Sequence, residues 1–209
     1  MRAKAPAKTK SDRAPNTHGA ITLARHGEPA LSRDVKLDWQ GYSDWWAAYE
    51  LGGLKSGQTA PEILLRFAAE AGHIYCSTRR RAIETAEAVC GGRAFQALDL
   101  FIEAPLPPPH LPRFIRMTPK SSAWGTVSRL SWRLFNHHEG GETYAEAKLR
   151  ARKAADFLID KASDGLDVLL LAHGYFNWMI SKELKRRGYV STLEQGFRYW
   201  SCRRYERPG

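Results

Sequence analysis

Two apolar runs, far apart in the chain, stop on the same pair of residues. Ile21-Thr22-Leu23-Ala24 breaks into Arg25-His26-Gly27-Glu28, and Val168-Leu169-Leu170-Leu171-Ala172 ends on His173-Gly174. The second run has no polar interruption, which is the pattern of a strand covered on both faces in a parallel sheet. Between the two, the periodicity switches repeatedly. Thr59-Ala60-Pro61-Glu62 has the form of a capping box with proline in the first turn, and Ile63, Leu64, Phe67 and Ala68 continue it as a helix over about 60–71. His73-Ile74-Tyr75-Cys76 reads as a short strand. Ser77 or Thr78 then caps a helix with Ala82, Ala86 and Val89 inward, and an apolar stretch over 94–102 reads as strand then loop. A second capping box, Thr143-Tyr144-Ala145-Glu146, opens an alanine-rich helix to about Lys161. Beyond His173-Gly174 a helix over 175–187 closes at Gly188, and residues 197–205 alternate as a final edge strand. Strands alternating with helices predict an α/β fold with a mostly parallel sheet.

Two segments fit this rhythm poorly. Residues 28–58 are loop-like apart from Trp39, Tyr42, Trp45, Trp46 and Tyr49, whose near-helical spacing predicts a short helix with an aromatic face turned to the core. In 104–140, Pro105, Pro107, Pro108, Pro109, Pro112 and Pro119 keep the first half extended. The second half carries Trp124, Val127, Leu130, Leu134 and Phe135 at helical spacing. It reads as an insertion ending in an amphipathic lid, which Trp124, Trp132 and Phe135 would make apolar and suited to a bulky or lipophilic ligand.

At 209 residues and 43% hydrophobic content the chain supports one sizeable core. No apolar run reaches the roughly 20 residues that span a bilayer, and the basic N-terminus lacks the apolar centre of a secretory signal, so a cytoplasmic protein is expected. Part of the net charge of +10 belongs to a tail: 1–19 carries Arg2, Lys4, Lys8, Lys10 and Arg13 against Asp12 and is expected to be disordered, leaving 20–209 as the folded domain. Cys76, Cys90 and Cys202 lack metal-ligand spacing and read as free buried thiols. His137-His138-Glu139 offers no spaced third ligand, so no metal is expected there. Arg79, Arg80 and Arg81 are less ordinary. They occupy the first turn of a predicted helix, where the dipole disfavours cations, and either form a solvated cluster or include a clamp for an anion.

In an open α/β sheet, ligands bind beyond the carboxyl ends of the strands, so His26 and His173 can face one crevice. With these residues in view the sequence resembles the histidine phosphatase superfamily, the phosphoglycerate-mutase-like proteins, over residues 20–205. Leu23-Ala24-Arg25-His26-Gly27-Glu28 resembles its arginine-histidine-glycine signature. Ser77-Thr78-Arg79-Arg80-Arg81-Ala82-Ile83-Glu84-Thr85-Ala86 is similar to its second block, where the arginine directly before alanine lines the phosphate pocket, which selects Arg81. Gly140-Gly141-Glu142-Thr143 and Ala172-His173-Gly174 resemble its later turn and second histidine block. The resemblance implies a three-layer sandwich with helices on both faces of the sheet.

It also implies a chemistry that these side chains can perform. Guanidinium forks suit a phosphomonoester dianion, and Arg25 and Arg81 would supply them. His26 would attack phosphorus to give a phosphohistidine, which water would hydrolyse. His173 would donate hydrogen bonds to the same oxygens, with Gly27 and Gly174 allowing close approach of the backbone. By family position Glu103 is the proton donor, with Glu28 as the alternative. The mutase branch has a tryptophan-asparagine pair soon after its first signature, where this chain runs Pro29-Ala30-Leu31-Ser32-Arg33, so hydrolysis is expected ahead of a phosphoglycerate-mutase-type transfer. A non-catalytic phospho-ligand or RNA-binding protein is the third reading. No cofactor is implied. The expected partner is a small phosphorylated molecule rather than a membrane or a nucleic acid, and a homodimer is left open.

Overall fold

Val168–Ala172, the fourth strand of the chain, is buried along its whole length and lies between two others. The computed structural model describes residues 18–109 and 117–208; most of the basic tail, and Pro112 in the proline-rich stretch, fall outside them. Six strands form one sheet: β1 (Ile21–Arg25), β2 (His73–Ser77), β3 (Gln96–Leu98), β4 (Val168–Ala172), β5 (Val190–Glu194) and β6 (Cys202–Glu206), in the order β3-β2-β4-β1-β6-β5. β1, β2, β3 and β4 run parallel, and β6 and β5 add an antiparallel edge.

Alternation along the strands divides the core in two. Ile21, Leu23, Tyr75, Val168, Leu170 and Ala172 point to one face, which α5 (Tyr144–Ala162) and α6 (Gly174–Arg186) cover with Ala151, Ala155, Leu158, Phe176 and Ile180. Ala24, Ile74, Cys76, Leu169 and Leu171 point to the other, under Leu64 and Phe67 of α2 (Glu62–Glu70) and Ala86 and Val89 of α3 (Arg80–Cys90). Because β4 has a covered face on both sides, it can carry no polar residue, which accounts for its uninterrupted sequence. The result is the expected three-layer α/β sandwich.

Local signals were met unevenly. The second capping box forms, with Glu146 N donating to Thr143 Oγ1 at 3.2 Å and Thr143 N donating to Glu146 Oε2 at 2.8 Å. The first does not: Pro61 takes the cap position of α2 without a side-chain bond. Neither Ser77 nor Thr78 caps α3, whose cap is Arg79; Ser77 has a partner elsewhere. The predicted edge strand over 197–205 shortens to β6 and lies inside the sheet, because β5, which the sequence reading missed, pairs on its outer side. β5 is largely exposed and so carries no apolar pattern.

α1 (Trp39–Leu51) buries Tyr42 and Tyr49, while Trp45 and Trp46 stay half-buried beside them. α4 (Ser121–Phe135) is the helical half of the insertion. Its tryptophans turn inward, Trp124 being 3% and Trp132 0% exposed, with their indole N–H groups donating to Leu37 O and Glu142 O. Of the three aromatics only Phe135 is exposed; the outer face of α4 is nevertheless apolar, because Val127, Leu130 and Leu134 are exposed beside it. Replacement Leu170→Ala in the strand shared by both cores should cost about 2–5 kcal/mol of stability, read as a lower denaturant midpoint with an unchanged slope.

Candidate active site

The registers of three parallel strands build the site. Arg25 pairs with Ala172 and Cys76 with Leu171, so the residues that follow, His26, Ser77 and His173, leave the sheet side by side. His26 N donates to Ala172 O at 2.9 Å, and the two imidazoles meet edge to face with centroids 5.2 Å apart. Both rings are buried, His26 at 3% and His173 at 0% exposure.

A hydrogen bond settles the tautomer of His26. Its Nδ1 lies 2.7 Å from Gly27 O, an atom that can only accept, so the ring hydrogen is on Nδ1 and Nε2 carries the free lone pair. His173 Nε2 lies 2.8 Å from Ser77 Oγ, a hydroxyl that can donate to the ring or accept from it and that also accepts from Arg79 N at 3.3 Å. His173 Nδ1 is buried and bonds to no protein group. Burial pushes both imidazoles well below the usual 6.5, and the neighbouring guanidiniums of Arg81 and Arg25 push the same way, so both rings are neutral.

Arg25 closes the cup on one side. Its guanidinium lies 4.0 Å over the Tyr199 ring and donates to Phe197 O, and burial lowers its pKa. Gly174 lies beneath it, where a Cβ would sit 3.2 Å from Arg25 Cδ and press on the guanidinium arm. Arg81, 1% exposed, closes the other side. Its terminal nitrogens donate to Tyr49 O at 3.1 Å and Glu50 Oε1 at 2.9 Å. Nε of Arg25 and Nε of Arg81 are both buried without a protein partner.

The three consecutive arginines separate cleanly. Arg79 pairs with Glu50 Oε2 at 2.9 Å, Arg80 is exposed and pairs with Glu84 at 2.6 Å, and only Arg81 is buried toward the histidines. Gly27 has a different use from the expected one. Its N–H donates to Thr85 Oγ1 at 3.0 Å, so it is not offered to an anion, and a Cβ would lie 2.4 Å from the Trp200 indole. The glycine there admits Trp200, whose backbone is left-handed at φ 61° and whose N–H donates to His26 O at 3.3 Å.

Glu103 lines the same cavity as Arg25 and Gly174, and its Oε1 accepts from Ala104 N and Phe176 N, both at 2.9 Å. Glu28 is half-exposed and pairs with Lys55 at 3.7 Å. His137 and His138 bond to Pro108 O and Gly141 O, and no metal-binding cluster occurs among the described residues. The thiols of Cys76, Cys90 and Cys202 are buried and free, and burial lifts Cys76 to about 12.

Glu50, Ser77, Tyr199 and Trp200 were not recognised as site residues from sequence. Only Ser77 carried a usable signal, its place at a strand end.

The histidine phosphatase superfamily (branch 1) model matches residues 21–195. The chain belongs to this superfamily. Its fold is shared with the mycobacterial glucosyl-3-phosphoglycerate phosphatase, at TM-score 0.56 and 17% identity over 89% of this chain and 92% of that one. A phosphoglycerate mutase from Bacillus anthracis gives TM-score 0.54 and 16% identity over 91% and 90% of the two chains. Phosphoserine phosphatase from Entamoeba histolytica gives 0.52 and 16% over 80% of each. No relative is found among curated proteins. At these identities the neighbours speak for the fold alone. No helix among the described residues of this superfamily member is long and apolar enough to cross a membrane.

Neutral imidazoles in the fold make stability depend on pH in a definite direction. Unfolded, each ring takes up a proton below about 6.5; folded, it does not, so the unfolded state binds more protons as pH falls and stability drops by up to about 1.4 kcal/mol per pH unit for each ring. Denaturant titrations between about pH 7.5 and about pH 5.5 should show a shallower loss for His173→Gln than for the wild type, and equal slopes would mean that His173 is not held neutral.

Proposed function

We propose that the protein is a phosphomonoester hydrolase working through a phosphohistidine on His26. One observation carries the reading: a neutral imidazole with its Nε2 lone pair free lies among buried nitrogens without a protein partner, Arg25 Nε, Arg81 Nε and His173 Nδ1, the last a donor when Ser77 gives its proton to Nε2. A tetrahedral oxyanion satisfies such donors. Nothing in the packing of the fold requires them to converge.

In the first step Nε2 of His26 attacks phosphorus in line and the bond from phosphorus to the ester oxygen breaks, while Arg25, Arg81 and His173 hold the non-bridging oxygens. The departing alkoxide takes the proton of Glu103. Of its two oxygens only Oε1 is engaged by backbone amides, so Oε2 is the one to carry that proton. In the second step water attacks the phosphohistidine, the phosphorus–nitrogen bond breaks, Glu103 recovers a proton from the water, and orthophosphate leaves with the nucleophile regenerated. Glu28 is less suited, since its carboxylate is turned to Lys55. The nucleophile and the charge neutralisation both come from side chains, so the reading requires no metal or organic cofactor.

The named neighbours include two phosphatases and a mutase, so the fold does not choose between hydrolysis and transfer. The absence of the tryptophan-asparagine pair after Glu28 supports hydrolysis.

His26→Ala should lower kcat on a general aryl phosphate by at least about 10³-fold, with wild-type activity unchanged by chelator. Glu103→Gln should lower kcat by about 10²–10⁴-fold on alkyl esters and by less on aryl esters, whose leaving groups need no proton. Activity surviving in His26→Ala would overturn the mechanism. Salt-dependent polyanion binding without turnover would favour the binding-only reading.

A further inference from the structure

Beside the histidine cup lies a cavity of about 380 Å³ whose charged lining is Arg25, Arg33, Arg129 and Glu103, with the hydroxyl-bearing Ser122 and Thr126 on the α4 wall. The catalytic reading uses Arg25 and Glu103. It leaves Arg33 and Arg129 without a task.

Neither has the partner that a partly buried cation ordinarily needs. Among the described residues no carboxylate oxygen forms an ion pair with Arg25, Arg33 or Arg129, whereas Arg79, Arg80, Arg81, Arg150, Arg186, Arg187, Arg203 and Arg204 each have one. Arg33 Nε is buried and unpartnered. Its backbone is pinned all the same: Ser121 Oγ donates to Arg33 O at 2.6 Å, and Ser121 N donates to Val35 O at 2.8 Å. Arg129 is held by its own contacts, lying 3.9 Å over the Tyr175 ring and donating to Pro105 O at 2.8 Å. Burial above all lowers the pKa of Arg129 and of Arg25; the charge of Arg33 adds to this in both, while the Glu103 carboxylate acts against it. The single carboxylate in the lining, Glu103, already gives Oε1 to two amides.

We propose that this cavity is a second anion site, and that the natural substrate carries, a few bonds from its phosphoryl group, a further carboxylate or phosphate bound by Arg33 and Arg129. The proposal rests on the hydrolase reading of the adjoining His26 cup, with Arg25 and Gly174 forming the border between the two. Guanidinium forks give both anions bidentate partners, the Ser122 hydroxyl adds a further donor, and Leu106, Leu130 and Phe197 line the rest of the cavity.

Three non-hydrolysable ligands of equal length separate the possibilities: an alkyl phosphonate with an uncharged end, one ending in a carboxylate, and a bisphosphonate. In calorimetric titration of the wild type, at least one of the latter two should bind about tenfold or more tightly than the uncharged-ended ligand, equivalent to about 1.4 kcal/mol. Whichever is preferred names the anion. In Arg33→Gln that ratio should fall below about threefold, and Arg33→Lys, which keeps the charge but not the fork, should give an intermediate value. Thermal melts of both variants establish that they are folded. Equal affinity of the wild type for all three ligands, each displaced by orthophosphate, would overturn the second site and leave the hydrolase reading standing, as would a ratio that survives in both variants. Failure of all three to compete with orthophosphate would remove the phosphoryl cup, and the second site with it.

Discussion

The parallel register of β1 on β4 is the constraint on which the site depends. Ile21 lies opposite Val168 and Arg25 opposite Ala172, so two histidines more than 140 positions apart in sequence emerge at the same level, joined by the bond from His26 N to Ala172 O. A slip of one residue would turn His26 to the opposite face of the sheet and drive Leu23 out of one core into the other. In this register the alternation of β1 fills both apolar cores, Leu23 in one and Ala24 in the other. The contacts that stabilise the sheet therefore also place His26 beside His173.

Electrostatics then decides what the histidines are. Taking the rings out of water beside Arg25 and Arg81 keeps both neutral, and the Gly27 carbonyl directs the His26 lone pair through Nε2. An imidazole left charged by a neighbouring carboxylate would have no lone pair to offer. Glu50, near the C-terminal end of α1, is spent on Arg79 and Arg81. It steadies Arg81 through the terminal nitrogens and leaves Nε unbonded toward the cup.

Most of the central fold was legible in the sequence because its signals are local or strongly periodic: the unbroken run of β4, the Thr143 capping box and the strand-terminal Arg25-His26-Gly27. What escaped depended on tertiary partners. Ser77 looked like a helix cap because a serine before a helix usually is one, but its hydroxyl is worth more on a buried histidine ring. Gly27 was expected at the anion, whereas the sequence could not show that Trp200 would pack on it. β5 was missed because an exposed edge strand has little reason to alternate. The spacing of Trp124 and Trp132 placed a helix correctly but said nothing about which neighbour would receive its apolar side, and it was Leu37 and Glu142 that took the indole N–H groups.

That last point bears on how the molecule is divided. The loop carrying Arg33 and the N-terminal half of α4 are stitched to each other, through Ser121 to Arg33, Trp124 to Leu37, and a bridge between Lys36 and Lys120, while Trp132 anchors the C-terminal half in the sheet's core. The histidine cup is tied instead to the sheet. Side chains that recognise the body of a substrate can thus change on the α4 unit without disturbing the register that aligns His26 with His173, the usual arrangement in which a rigid scaffold holds the chemistry and connecting segments hold the specificity. Charge follows the same division. Of the arginines that brace the fold, Arg150 and Arg203 are paired with carboxylates and Arg93 with the carbonyls of Ala68, Ala69 and Ala71, whereas Arg33, facing the cavity, keeps a buried Nε without a protein partner. Arg129 is steadied by the Ala104 and Pro105 carbonyls, and in the proposed reading an anion brought from outside completes the charge that Arg33 adds beside it.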